Sequence, residues 1–204
     1  MVTKVQTKRY PVEVLQDRRL KLTAMEKGLL RWSLDERGDK VLDTQVGTGL
    51  MLEYLHRNME CEICGISDDM QCVRDARTRL RSADIVYAMH GDFPWKADTF
   101  DSVYIKMTDG PVTERTLAEA MRVLKPGGQV LVGLKIVPWP LRQLVRWLRG
   151  DMDEDVLEPK ARDRMLATLE TMGWKQITWQ PTDPLHSVCV AWKPVDVEQE
   201  DRIA

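Results

Sequence analysis

Residues 41–49 read Val-Leu-Asp-Thr-Gln-Val-Gly-Thr-Gly, and no other stretch constrains the fold of this chain as much. A short apolar run closes on Asp43 and a glycine-rich turn follows. Leu50, Met51, Leu52 and Leu55 then mark the buried side of a helix. The unit is a strand, a tight turn and a helix. Such a turn presents backbone N–H groups and a helix N-terminus to a ligand. Taken alone, it equally describes an ordinary connection between strand and helix.

Hydrophobic periodicity repeats the alternation along the chain. Strands are predicted over 40–44, 61–67, 84–89, 101–107 and 128–137, with helices over 48–58, 69–80 and 113–124. Strands alternating with helices specify a parallel α/β sheet. Its connections are right-handed and its ligands bind outside the carboxyl ends of the strands. Two helices are predicted ahead of the sheet, over 12–22 and 23–34, the second opening on a Thr23–Glu26 capping box. Past 137, helices are expected over 141–149 and 159–172, separated by the acidic stretch 150–158. Two final strands, 174–180 and 186–193, follow with a Pro-containing loop between them. The length of 204 residues suits one domain, with 1–22 as an N-terminal extension and 194–204 as a mobile tail.

A net charge of −2 provides no global basic field for nucleic acid. The N-terminus has no apolar signal-peptide region and no apolar run reaches transmembrane length, so the cytoplasm is the expected compartment. Cys61 and Cys64 form a lone C-x-x-C in a strand, where i and i+3 face opposite sides. With no second pair nearby, they are expected to be buried thiols. His56, His90 and His186 are too scattered for a metal site.

Two further segments fall where one site needs them. Gly91-Asp92-Phe93 precedes Asp98-Thr99-Phe100-Asp101-Ser102-Val103, and Arg122-Val123-Leu124-Lys125-Pro126-Gly127-Gly128 precedes a strand. Together with 41–49, they resemble the class I S-adenosylmethionine-dependent methyltransferases, and most of all the small methyltransferase-11-like enzymes. The resemblance covers roughly residues 25–135. It implies a Rossmann-like, doubly wound α/β fold: a seven-stranded, mostly parallel sheet with an antiparallel last strand and helices on both faces. It also implies S-adenosylmethionine as cofactor. Asp43 then helps hold the methionine moiety, and Gly47 and Gly49 permit close backbone approach. Gln45 stands where the family has glycine. It either strains or crowds the turn, or bonds the cofactor carboxylate. After the second strand the family's ribose-binding acid is replaced by Ser67, and Asp68 either takes over that work or caps the next helix with Asp69. Gly91 and Asp92 match the adenine motif, with the Phe93 N–H meeting a ring nitrogen and Phe93 or Trp95 covering a ring face. Lys106 borders cofactor and substrate. The Lys125–Gly128 turn is structural.

The resemblance further implies methyl transfer to a small-molecule acceptor, a task mainly of alignment. If a base is needed, Asp109, His90 and His186 are the candidates. The rival readings are a non-catalytic protein on the same scaffold, for which Gln45 and Ser67 are the grounds, and a nicotinamide dehydrogenase, which the Leu-Lys-Pro-Gly-Gly turn fits poorly. Little sequence is left over to cap the site, so a second copy or a protein partner is a reasonable complement. Trp139, Arg142, Arg146, Trp147 and Arg149 lie on or near one helix. It is read as an ordinary sheet-covering helix, with an interface helix for a membrane or lipid-like substrate as the alternative.

Overall fold

A computed structural model describes residues 21–89, 91–106, 112–135, 159–183 and 185–195. Helix α1, Ala24–Trp32, opens with both halves of the expected capping box. Thr23 Oγ1 accepts the Glu26 N–H at 3.2 Å, and Glu26 Oε2 accepts the Thr23 N–H at 2.8 Å. The chain then alternates through β1 (Lys40–Asp43), α2 (Leu50–Met59), β2 (Glu62–Ser67), α3 (Met70–Arg79), β3 (Asp84–Tyr87), β4 (Phe100–Lys106), α4 (Glu114–Val123) and β5 (Leu124–Lys135). Helix α5 (Pro159–Thr171) and strands β6 (Lys175–Asp183) and β7 (His186–Trp192) complete the described chain. The helix expected over 141–149 lies outside the described residues, as do residues 12–20 of the one expected over 12–22, whose last two residues are described and not helical.

The strands form one seven-stranded sheet in the order β3-β2-β1-β4-β5-β7-β6. Strands β1 to β5 pair in parallel, and β7 runs antiparallel to both β5 and β6. The expected doubly wound sheet with a reversed strand is therefore present. Its central strands β1, β2, β4 and β5 are buried on both faces, as parallel sheets require. Val41, Tyr104 and Leu131 face the layer that contains α1, α2 and α3. Leu42, Val103, Ile105, Val130 and Val132 face the layer that contains α4 and α5. Cys61 belongs to the first layer and Cys64 to the second, so the C-x-x-C straddles the sheet. Burial pushes both thiols up to about 12.

Two boundaries differ from expectation for identifiable reasons. Strand β5 starts at Leu124, paired with Phe100, so the Lys-Pro-Gly-Gly turn is an irregular opening of the strand itself. Gly127 takes a φ of +77° and donates its N–H to the Lys193 carbonyl, tying the turn to the end of β7. Pro181, assigned to a loop by sequence, lies inside β6. Strand β6 is the sheet edge, where a missing N–H breaks no interior ladder.

Candidate functional site

Strand β1 lies between β2 and β4, whose connections leave in opposite directions. In an open parallel sheet the crevice at this reversal is where ligands bind. The 44–49 turn sits there, anchored on both neighbours. The Thr44 N–H and Oγ1 both donate to the Tyr104 carbonyl, and the Val46 N–H donates to the Ile66 carbonyl. Gly65 permits this close fit, because a β-carbon there would stand 3.0 Å from Val46 Cγ2.

The two glycines of the turn do different work. Gly49 caps α2 at a φ of +79°, and a β-carbon on it would lie 3.0 Å from Leu80 Cδ1, so it serves the packing of α2 against α3. Gly47 has a φ of +52°, and a β-carbon there would meet nothing within 4 Å. Its backbone therefore faces open space, as a ligand cradle must. Gln45 is half-buried and does not occupy the left-handed region: among the described non-glycine residues only Glu60, Asp98 and Gln176 do. The dihedral-strain reading of Gln45 is thereby removed.

Asp43 is fully buried at the end of β1. Its Oδ1 accepts the Gln45 N–H at 3.0 Å and its Oδ2 accepts Lys106 Nζ at 2.8 Å. Lys106 ends β4, is itself buried, and also faces Glu26 Oε1 at 3.6 Å. Burial lifts the Asp43 carboxyl above its ordinary range, while the Lys106 ammonium opposes that shift. Sequence reasoning placed Lys106 at this edge but missed Glu26, which reaches it from α1.

At the end of β2, Ser67 is buried and its hydroxyl accepts the Asp69 N–H at 3.1 Å. Asp69 is the N-cap of α3, accepting the Gln71 N–H at 2.7 Å, so capping falls to Asp69 and leaves Asp68 exposed at the edge. After β3, Gly91 turns at a φ of +84°, with Arg115 Nε bonded to its carbonyl, and Asp92 is exposed. Phe93 departs from its expected role. Its N–H donates to Glu119 Oε2 at 3.1 Å, its carbonyl accepts from Arg122, and its ring is 3% exposed within the core. Trp95 is bonded to Asp84 at the opposite end of β3 and packs edge-on against Phe100. Neither ring covers the carboxyl edge. Three other apolar side chains stand exposed there instead: Met70, Tyr87 and Met89 at 45%, 47% and 60%. Tyr87 and Ser67 are direct register partners. The signal was available in sequence, as large apolar residues just past the ends of two strands.

Residues 41–128 match the family model described as a methyltransferase domain. This stretch of the chain is similar to methyltransferase domains. Among curated relatives, the Methyltransferase GfsG of Streptomyces halstedii is 30% identical over 105 residues, 47% of this chain and 37% of that protein. The Ubiquinone/menaquinone biosynthesis C-methyltransferase UbiE of Idiomarina loihiensis is 33% identical over 118 residues, 50% of this chain and 46% of that protein. The matches thus span less than half the length of these relatives. The solved [4+2]-cyclase SpnF superposes with a TM-score of 0.69 at 17% identity, covering 84% of this chain and 81% of that one. The same architecture therefore also occurs in a protein described as a cyclase, and the fold by itself does not select a reaction.

Of the expected acid–base candidates, His90 and Asp109 lie outside the described residues. His186 opens β7 opposite Lys135 at the carboxyl end of β5, with Nδ1 2.9 Å from the Asp183 carboxylate. Burial works against the Asp183 charge, but the Leu185 N–H and His186 hold its carboxyl below the usual range. Three sheet positions separate β7 from β1, about 14 Å at ordinary strand spacing, so His186 stands well away from the glycine turn. At the other end of the sheet lies a buried polar cluster that no motif announced. Asp35 accepts hydrogen bonds from Ser33, Ser102, Tyr104 and Gln129. Burial raises its carboxyl despite these donors, and its place far from the carboxyl edge marks it as architectural. Among the described residues no group of three or more His, Cys, Asp or Glu is arranged to hold a metal, and no helix is long and apolar enough to cross a membrane.

Proposed function

We propose that the chain binds S-adenosylmethionine across the carboxyl ends of β1, β2 and β3 and directs its methyl group to a small-molecule acceptor lying toward β4 and β5. The observation that carries this reading is the turn at the strand reversal, with Gly47 facing open space beside the buried Asp43. The residues fit the cofactor. Asp43 and Gln45 border the methionine end. Ser67 and Asp68 stand at the ribose position and Asp92 at the adenine amine. Tyr87, Met89 and Met70 offer apolar surface to a purine ring, replacing Phe93 and Trp95 in that role. When bound, the cofactor supplies a methyl group already activated on a sulfonium, and the bonding pair stays on sulfur as the group leaves.

The chain's own task is then to hold the donor at the turn and the acceptor in line with it, which is catalysis by positioning. His186 is the one described acid–base candidate on the acceptor side, and its contact with Asp183 orients the ring. We read the described residues as one unit serving this single site, open to completion by a second copy or a protein partner. A non-catalytic reading has one observation in its favour: Lys106 already occupies the Asp43 carboxylate. Calorimetric titration with S-adenosylmethionine and S-adenosylhomocysteine separates the cases at the first step. No heat and no thermal shift at millimolar ligand rejects the proposal. Binding without methyl transfer to a panel of quinol and sterol acceptors supports the non-catalytic reading.

A further inference from the structure

Two carboxylates and one ammonium meet where the first turn of α1 reaches the carboxyl ends of β1 and β4. Lys106 Nζ lies 2.8 Å from Asp43 and 3.6 Å from Glu26, and the three side chains are 6%, 0% and 13% exposed. The group carries one negative charge in excess. Asp43 alone does not hold that excess, because its contact with Lys106 is the shorter one. The excess falls on Glu26, a helix residue outside every glycine motif. Its other oxygen, Oε2, is held at 2.8 Å and 2.9 Å by the Thr23 N–H and hydroxyl.

We propose that Glu26, acting with the Lys106–Asp43 pair, makes this site select for the positively charged methyl donor over its neutral demethylated product. The inference rests on the cofactor reading above and deepens it. Donor and product share adenine, ribose, carboxylate and ammonium, so the bonds at Asp68, Asp92 and the turn hold both equally. They differ by one methyl group and one positive charge on sulfur. A partly buried negative charge at this edge acts on that difference, because the effective dielectric there is far below that of water. The consequence is directional. Uniform binding cannot speed turnover, whereas a site that loosens as the sulfur loses its charge binds the spent cofactor less tightly than the fresh one.

The test is calorimetry on the full chain and on Glu26→Gln, with S-adenosylmethionine, S-adenosylhomocysteine and sinefungin, in which a protonatable amine stands near the sulfonium position. Glutamine keeps an oxygen for the capping box and removes the charge, with its NH2 in place of the oxygen that faces Lys106, and equal thermal melting of the two proteins checks that the fold tolerates it. Donor and sinefungin are expected to weaken about tenfold in the variant while the product stays within about twofold. In the parent chain the two cations are expected to bind more tightly than the product, a comparison that needs no variant. Equal affinity of the parent for all three ligands overturns the proposal. So does a Glu26→Gln variant in which donor and product weaken alike, or in which neither changes. A parent chain that binds none of the three rejects the cofactor reading itself, and the selector with it.

Discussion

Replacing Lys106 by Met removes the cation from a carboxylate that has no access to water. Asp43 is fully buried, and it would retain only the Gln45 N–H among its described hydrogen bonds. Breaking a buried pair from one side typically costs about 3–5 kcal/mol. Here a second route limits the loss, because Asp43 can take up a proton instead of remaining charged. For a carboxyl with an ordinary pKa of about 3.9, protonation costs about 4 kcal/mol near pH 7 and about 1.5 kcal/mol near pH 5. The variant is therefore expected to lose about 4 kcal/mol at neutral pH and markedly less in mild acid. The sign follows from linkage. A carboxyl held above its unfolded pKa contributes stability at low pH that is lost as pH rises. Burial already lifts Asp43 in the parent, and deleting Lys106 removes what opposes that lift. Urea unfolding of the parent, Lys106→Met and Asp43→Asn/Lys106→Met near pH 5 and pH 7 measures this directly. The double variant should recover most of the loss at neutral pH and show little extra pH dependence. A Lys106→Met deficit that is the same at both pH values, or absent near pH 7, refutes a charged, water-excluded Asp43.

Burial raises the Asp35 carboxyl, so it too gives stability at low pH that is lost as pH rises through its elevated pKa. Asp35→Asn should cost about 1 kcal/mol and flatten the alkaline side of the stability profile, whereas Asp35→Leu, which strands the donors, should cost about 2–3 kcal/mol; denaturant midpoints across pH check both. Gly47→Ala should cost about 1 kcal/mol from its dihedral alone, and Gly49→Ala more, because its new methyl also meets Leu80. Equal melting shifts for the two would disprove the division of labour in the turn. Asp92 is exposed, so Asp92→Ala should leave stability unchanged and weaken cofactor binding by about 1 kcal/mol, read by calorimetry. With no left-handed dihedral to relieve, Gln45→Gly should bring no gain in stability. A fall in cofactor affinity of about 1 kcal/mol would identify the amide as a cofactor contact, and a rise would identify it as an obstruction.

Local signals carried most of the fold. The capping box of Thr23 and Glu26 needs only residues three apart, and the strand–turn–helix at 41–49 needs only a glycine turn between apolar runs. The alternation of Val41 and Leu42 across two layers follows from the pleat. Partners distant in sequence were not legible. Phe93 follows an acid and a glycine as an adenine contact should, but its N–H is taken by Glu119, 26 residues later. The Asp35 cluster joins Ser33, Ser102, Tyr104 and Gln129, which only the folded sheet brings together. Asp68 and Asp69 are chemically identical, and only the start of α3 separates the exposed residue from the cap. Glu26 looked complete as a capping residue, and its second partner at Lys106 becomes visible only once α1 is packed on the sheet.

The reversal of β7 has a bearing on how such a chain can change. Because that strand runs against its neighbours, the β6–β7 hairpin bends at the same rim as the glycine turn, with β4 and β5 standing between them as a fixed spacer. Asp183, Leu185 and His186 ride on that bend, and their pairing reaches the rest of the sheet only through β5. Substitutions in the hairpin can therefore reshape one bank of the crevice while the other, built on residues 43–49, keeps its geometry. The two banks of this edge can then change at different rates, with α1, which packs on the hairpin at Thr182 and reaches Lys106 through Glu26, as a tie between them.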